Sequence, residues 1–350
     1  MTRQPLTPPN LDPTPIFEHF RGSYGTELLV AAVVHFDLFA KLAAGPIPRE
    51  SLRSQLALAE RPFLVLTTAL RAMKLLDVDG HDRFVLAALA AEHLIPGREF
   101  YVGDYLGLAA SSPGVQEMVE RLTTNKPSGH KQDEPGVGFI FREGLPSAME
   151  HAEGARHFTL ALAGRAKNVA PVLAERAPLA DAHVLVDIGG GTGIYSIACL
   201  LRYPRLQAVV WDRAEVLKVA AEFAQRHGVA DRLELREGDM FVDPVPQGDV
   251  QLLSNVLHDW DVHDCQFLVA RAAEALSPGG RLIVHDVYLN DTFDGPLPIA
   301  LYSAALFSVT EGRAYSAAEY CGWLTQAGLE PQSVVPTLIH CGLLVGVKPR

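Results

Sequence analysis

Apolar residues recur at helical spacing from Ile16 to about Ala43, through Phe17, Phe20, Tyr24, Leu28, Val34 and Leu38. The pattern predicts a long helix. Beyond Leu28 it is apolar nearly all round, so it needs burial on more than one face, in a core or against a second subunit. Three shorter helical patterns follow over 48–55, 60–76 and 86–94. Between the last two, apolar runs flank Asp79-Gly80, a hairpin signal. Three helices and a hairpin outline a winged-helix unit. The helix placed to read a DNA groove offers only Arg61, Arg71 and Lys74 among apolar residues, which favours dimerisation over nucleic-acid binding. Residues 98–175 read as helical, broken by the polar stretch Thr123–Gly138. A loop of that length suits a cover over a site, or disorder.

From Asp181 onward the period changes. Short β-branched runs (Val184–Ile188, Ala208–Asp212, Leu233–Glu237, Val250–Asn255, Leu282–Val287) alternate with helical segments. That alternation predicts a parallel sheet covered by helices on both faces. Two last runs, Gln332–Pro336 and Leu343–Val347, follow each other closely and predict an antiparallel edge.

Composition narrows the class. Hydrophobic residues at 48% and charged residues at 20% of 350 describe an ordinary enzyme long enough for two domains. The net charge of -11 argues against a phosphate-tracking surface. Cys199, Cys265, Cys321 and Cys341 form no CxxC pair and read as reduced thiols. The first 14 residues hold four prolines and read as a frayed lead-in, with no secretory h-region. Leu28–Ala40 is too short and polar to span a bilayer. The expectation is a cytoplasmic protein without membrane or nucleic-acid partner.

The densest chemistry lies in Val184-Leu-Val-Asp-Ile-Gly-Gly-Gly-Thr-Gly193. A strand ends in Asp187 and enters a turn with Gly189, Gly191 and Gly193, where the backbone approaches a ligand closely at a helix N-terminus. Ile194 stands where a dinucleotide fingerprint needs its third glycine, which disfavours an NAD-dependent oxidoreductase. Asp212 ends the next strand, followed by Arg213. Gly238-Asp239-Met240-Phe241 follows the third. Open α/β sheets bind ligands along that edge. Plain readings remain beside these: Asp212 as a helix cap, Asp239 as a turn former.

The D-x-G-x-G-x-G spacing resembles motif I of the class I S-adenosylmethionine (SAM)-dependent methyltransferases. With Ser254-Asn-Val-Leu-His-Asp-Trp260 after the fourth strand and SPGGRLIVHD before the fifth, most of the chain is similar to the small-molecule O-methyltransferases of plant phenylpropanoid and bacterial antibiotic pathways. The resemblance implies an α/β fold. A Rossmann-like catalytic domain (101–350), with a helical linker and substrate region over 101–180 and a seven-stranded, mostly parallel sheet over 181–350, is preceded by an all-α/winged-helix dimerisation domain (1–100). It implies a homodimer and SAM held by Asp187, Gly189, Gly191, Asp212, Arg213, Asp239, Met240, Ser254, Asn255 and Trp260. Asp212 takes the ribose hydroxyls, Asp239 the adenine amino group, and Met240 packs on the ring.

The family's general base falls on His258 and its orienting acid on Asp286. A phenol with pKa near 10 exceeds an imidazole near 6.5 by about 3.5 units, roughly 5 kcal/mol for a completed transfer. A carboxylate on the far ring nitrogen offsets part of that by fixing the tautomer and stabilising the imidazolium. The match breaks in two places. The family's second catalytic glutamate aligns with Ala314, and Glu311 stands three residues earlier as its substitute. Arg165 replaces a small polar residue and suits the cofactor's carboxylate or an acidic substrate. His285 beside Asp286 adds a titratable group, and a metal set of His258, Asp259 and His285 stays open although its spacing fits no standard ligand pattern. Substrate-wall candidates are Tyr105, Met118, Phe139, Met149, Phe158, Tyr302 and Phe307, with Phe17, Phe20 and Tyr24 reaching a partner's site. Two rival functions remain: C-methylation of an aromatic ring or α-keto acid, and a SAM-binding regulator.

Overall fold

The computed structural model of the chain describes residues 4–127, 140 and 152–350. Its contacts form two compact units, Glu18–Gly136 with Leu289–Ala314, and Met1–Phe17 with Val137–Tyr288 and Tyr315–Arg350. They do not divide at residue 100: the apolar Leu297–Val309 helix packs on the Glu60–Ala72 helix and belongs with the N-terminal helices.

The helical unit carries a three-stranded antiparallel sheet of β1 (Ile47–Pro48), β2 (Leu76–Val78) and β3 (Arg83–Leu86), in the order β1-β3-β2. In the β2–β3 hairpin the Asp79 amide donates to the Arg83 carbonyl at 2.9 Å. The left-handed residue is Asp82, at φ 57°, rather than Gly80. The expected long first helix is broken. Thr14–Arg21, a 3-10 turn at Gly22–Tyr24, Gly25–Val30 and a wider turn at Ala31–His35 follow one another without a gap, and Asp37 at φ 47° breaks the helix before Leu38–Leu42. Gly22 and Gly25 are weak helix formers, and Asp tolerates the left-handed region better than most residues. The Glu60–Ala72 helix is buried from Pro62 to Leu70, so it has no face left for a nucleic-acid groove. Arg61 is engaged by Asn125 and the carbonyls of Thr310 and Gly312. Met118 and Phe307, expected at a substrate wall, are core residues beside Leu28, Phe63 and Leu70. Burying each such side chain contributes roughly 1.5–3 kcal/mol. Tyr105 is exposed, and Tyr302 carries Arg21 over its ring at 4.0 Å.

The α/β unit is built on β4 (Val184–Ile188), β5 (Gln207–Asp212), β6 (Leu233–Glu237), β7 (Gly248–Ser254), β8 (Leu276–Leu289), β9 (Tyr315–Ser316), β10 (Glu330–Pro331), β11 (Val335–Pro336) and β12 (Cys341–Val347). Seven of these nine strands follow one path, β10-β12-β8-β7-β4-β5-β6, with the two-residue β9 on β8 and β11 on β12. β6, β5, β4, β7 and β8 are parallel, and β12 runs antiparallel to β8. One face of the sheet (Val186, Ile188, Leu253, Val284, Leu344) forms a core with Cys265, Leu268, Ala272 and Trp323. The central strands β4 and β5 are near-continuous apolar runs, whereas the edge strand β6, Leu-Glu-Leu-Arg-Glu, alternates. From β6 the chain returns across β4 to form β7. That puts the topological switch, the place where open α/β sheets bind ligands, at the carboxyl ends of β4 and β7. No helix among the described residues is long and apolar enough to cross a membrane.

Candidate active site

β4 delivers Asp187 fully buried at the switch point. Its Oδ2 accepts the Ser196 hydroxyl at 2.8 Å, and its Oδ1 has no partner among the described residues. Burial, with the nearby Asp212 charge, pushes this carboxyl up to about 7. The glycine turn then wraps around it. A Cβ on Gly190 would stand 2.7 Å from Asp187 Cγ. Gly191, at φ 58°, is left-handed and directs its amide to Asp212 Oδ2 at 2.9 Å.

Asp212 also accepts the Arg213 amide at 2.7 Å. Burial raises its pKa, and these two backbone N–H groups hold the carboxylate against that trend. Each oxygen keeps a lone pair for a further donor. At the end of β6, Asp239 Oδ1 accepts the Phe241 amide at 2.8 Å and shapes the loop that carries Met240. Phe241 meets Trp260 edge to face, ring centroids 4.7 Å apart.

Asp187, Gly189, Gly191, Asp212, Arg213, Asp239, Met240, Ser254, Asn255 and Trp260 all line one cavity of about 340 Å³. Asn255 Oδ1 and Thr159 Oγ1, like Asp187 Oδ1, are buried on this cavity without a partner among the described residues. These orphaned acceptors, a ring of carboxylates and a side-chain-free turn fit a nucleoside that carries an amino group at each end. Arg165, Phe158, Tyr195 and Asp259 line the same cavity. Phe139 and Met149 lie outside the described residues, as do 128–138 of the polar loop.

His258 stands beside this cavity, 4% exposed, on the turn Leu257–Asp259. Its Nδ1 donates to Asp286 Oδ1 at 2.6 Å. Asp286 is itself buried and accepts the Val287 amide on Oδ1 at 2.8 Å and the Tyr320 hydroxyl on Oδ2 at 3.2 Å. A Ser316–Glu319 capping box starts the helix that presents Tyr320. Burial works against the imidazolium, but the charges of Asp286 and Asp259 outweigh it and raise the His258 pKa. Burial likewise works against the Asp286 charge, and His258 holds its pKa down nonetheless. Asp259, 3.6 Å from His258 Nε2, is pushed up to about 6, chiefly by burial.

Glu311 and Ala314 lie in the other compact unit, at the end of the Leu297–Val309 helix. Ala314 is fully buried, its amide donating to Ser303 Oγ at 3.1 Å. Sequence reasoning missed Tyr195, Ser196 and Tyr320, and raised Asp259 only in a metal set with His258 and His285. The first two are neighbours of the glycine turn and Asp259 follows His258, so proximity to a motif was the available signal. Tyr320 had none.

Residues 144–330 match the profile of the O-methyltransferase domain. The 3-hydroxy-5-methyl-1-naphthoate 3-O-methyltransferase of Streptomyces sahachiroi is 32% identical over 92% of this chain and 91% of that protein. The tetracenomycin polyketide synthesis 8-O-methyl transferase of Streptomyces glaucescens is 30% identical over 97% of each. A crystal structure of an O-methyltransferase family 2 protein from Planctomyces limnophilus, in complex with apigenin, is similar at TM-score 0.89 and 45% identity over 99% of both chains.

Proposed function

The chain belongs to the O-methyltransferase family as a SAM-dependent enzyme acting on small secondary metabolites, and from that premise we propose that its acceptor is a phenolic hydroxyl deprotonated by His258. The observation that carries this reading is the buried 2.6 Å pair of His258 Nδ1 and Asp286 Oδ1. It fixes the tautomer with the proton on Nδ1, so Nε2 is the atom that takes the phenol proton. As the ring becomes imidazolium, Asp286 stabilises the new charge where little water does. SAM, when bound, supplies an electrophilic methyl group and a positive charge beside the acceptor oxygen. Asp212 would hold its sugar, Asp239 its adenine amino group, with Met240 on the ring, and Asp187 and Asn255 its amino-acid end. Closing the reactants into one cavity supplies the orientation that a bimolecular displacement lacks in water.

The relatives support an aromatic acceptor: one is named for a hydroxynaphthoate, and the solved neighbour holds apigenin. Glu311 stands, in this reading, as the substitute for the family's second catalytic glutamate. The helical unit pairs with a second copy, using large apolar side chains it leaves exposed, including Phe20, Phe100, Tyr105 and Leu108. The test is turnover of a phenol panel with methyl-labelled SAM, with the product read by NMR. A new methyl on oxygen is expected. A methyl on ring carbon overturns the O-transfer reading, and no product from any phenol overturns the acceptor class. Sedimentation velocity tests the second copy, a monomer sinking it.

A further inference from the structure

His285 is the one histidine of this strand that the proton transfer does not use. It precedes Asp286 on β8, and successive strand residues point to opposite faces. Asp286 therefore serves His258, while His285 turns the other way, fully buried, toward the end of β7. Its Nδ1 lies 2.8 Å from Ser254 Oγ, and its Nε2 lies 3.1 Å from Thr337 Oγ1. Asn255 Nδ2 donates to Ser254 Oγ at 3.1 Å and to Tyr195 Oη at 3.4 Å. The Asn255 amide donates to the His285 carbonyl at 2.8 Å, and Asn255 holds the left-handed φ of 57°.

With Asn255 Nδ2 donating to it, Ser254 Oγ is free to give its own proton to His285 Nδ1. His285 then carries its proton on Nε2 and donates to Thr337. A neutral ring suits this chain of bonds: burial, with the Arg165 charge, drives the His285 pKa down to about 3. Once Ser254 gives its one proton to His285 it cannot also donate to Asn255 Oδ1, so a flipped carboxamide would lose the Ser254 bond. Asn255 Oδ1 is a buried acceptor on the cavity wall, without a partner among the described residues.

We propose that His285 is a positioning residue: through Ser254 it locks the Asn255 carboxamide so that Oδ1 receives the ammonium of the cofactor's amino-acid part. Strand order supports the assignment. Asp239, Asp212 and Gly189 follow β6, β5 and β4, so base and sugar occupy that side and the amino-acid end falls toward β7, where Asn255 stands. The inference rests on the cofactor placement given under the proposed function.

The test is calorimetric binding, without turnover, of two probes. S-adenosylhomocysteine carries the ammonium, and 5′-methylthioadenosine lacks the whole amino-acid part. His285→Phe should weaken the first by about 10-fold or more, the scale of a lost hydrogen bond to a charged group, and leave the second within about threefold. His285→Asn, which keeps an acceptor near the Nδ1 position, should restore most of the affinity. If His285→Phe does not fold, Thr337→Val, which removes the partner of His285 Nε2 outside the cavity, should give a loss of the same selectivity. Equal loss for both probes means a merely structural histidine and overturns the proposal, as does no loss for either. Asp212→Ala should weaken both probes. If it weakens neither, the cofactor placement fails and takes this inference with it, a result distinct from a failed relay.

Discussion

Asp286→Asn removes a charge and almost nothing else. In the native chain Oδ1 accepts from His258 Nδ1 and the Val287 amide, and Oδ2 from the Tyr320 hydroxyl. Asparagine keeps the double acceptor on Oδ1 and places NH2 against Tyr320, whose hydroxyl can rotate to accept. The variant should therefore fold, and SAM affinity should hold, because Asp286 does not line the cofactor cavity. The imidazolium, however, loses its counter-charge. An opposite charge at this range shifts a pKa by about 1–3 units. At 1.36 kcal/mol per unit that is roughly 1.4–4 kcal/mol, or about 10–1000-fold in a rate limited by a completed proton transfer. The pH profile carries the sign. The base works only when neutral, so kcat/KM falls as pH drops through the His258 pKa, which native Asp286 helps to raise. Without that charge the acidic limb should move to lower pH by about 1–3 units while the plateau drops. The assay is kcat/KM for a turned-over phenol across roughly pH 5–9. An unmoved limb with a plateau within about twofold of native would refute the assignment of Asp286 to His258 chemistry.

Three further outcomes are expected. His258→Ala should cost about 100-fold or more in kcat with SAM affinity nearly unchanged, checked by calorimetry beside steady-state rates. Gly190→Ala should weaken SAM binding and lower thermal stability, since its Cβ would meet Asp187 Cγ at 2.7 Å and push the buried carboxyl out of place. Asp187→Asn should stabilise the ligand-free chain at alkaline pH. The folded pKa of Asp187 is raised to about 7, against an unfolded value near 3.9. Its stabilising contribution is thus full below about pH 4 and is lost as pH rises through about 7, on the order of 4 kcal/mol in all. Thermal melts of native and variant should coincide at about pH 4 and separate at about pH 8, with the variant higher. Parallel curves would show that Asp187 does not titrate in that window.

The parts of the site legible in the sequence are those whose partners are near in the chain or repeat at a strand end. The glycine turn, Asp212 and Asp239 each sit at the close of an apolar run, and the sheet brings such ends to one edge whatever its register. Asn255, Trp260 and His258 belong to one short motif, so finding one finds the others. Asp286 was reachable only through the resemblance, because a lone acid in a strand has no local signature. The helical half was less legible. Met118 and Phe307 have the same apolar character in a core as at a pocket wall, and only packing separates the two. The break at Asp37 was hidden because the apolar pattern runs through it.

The sequence alone determined the alternation of strand and helix, the glycine turn, and the order in which carboxylates arrive at the strand ends. These depend on backbone freedom and local periodicity, which neighbouring residues carry. Tertiary structure decided which face each residue of β8 serves. It joined His258 to Asp286 across 28 residues, and Thr337 to His285 across 52. It also moved the Leu297–Val309 helix into the company of the N-terminal helices. Those outcomes follow from sheet register and from competition among apolar faces for burial, and both are settled only when distant segments meet.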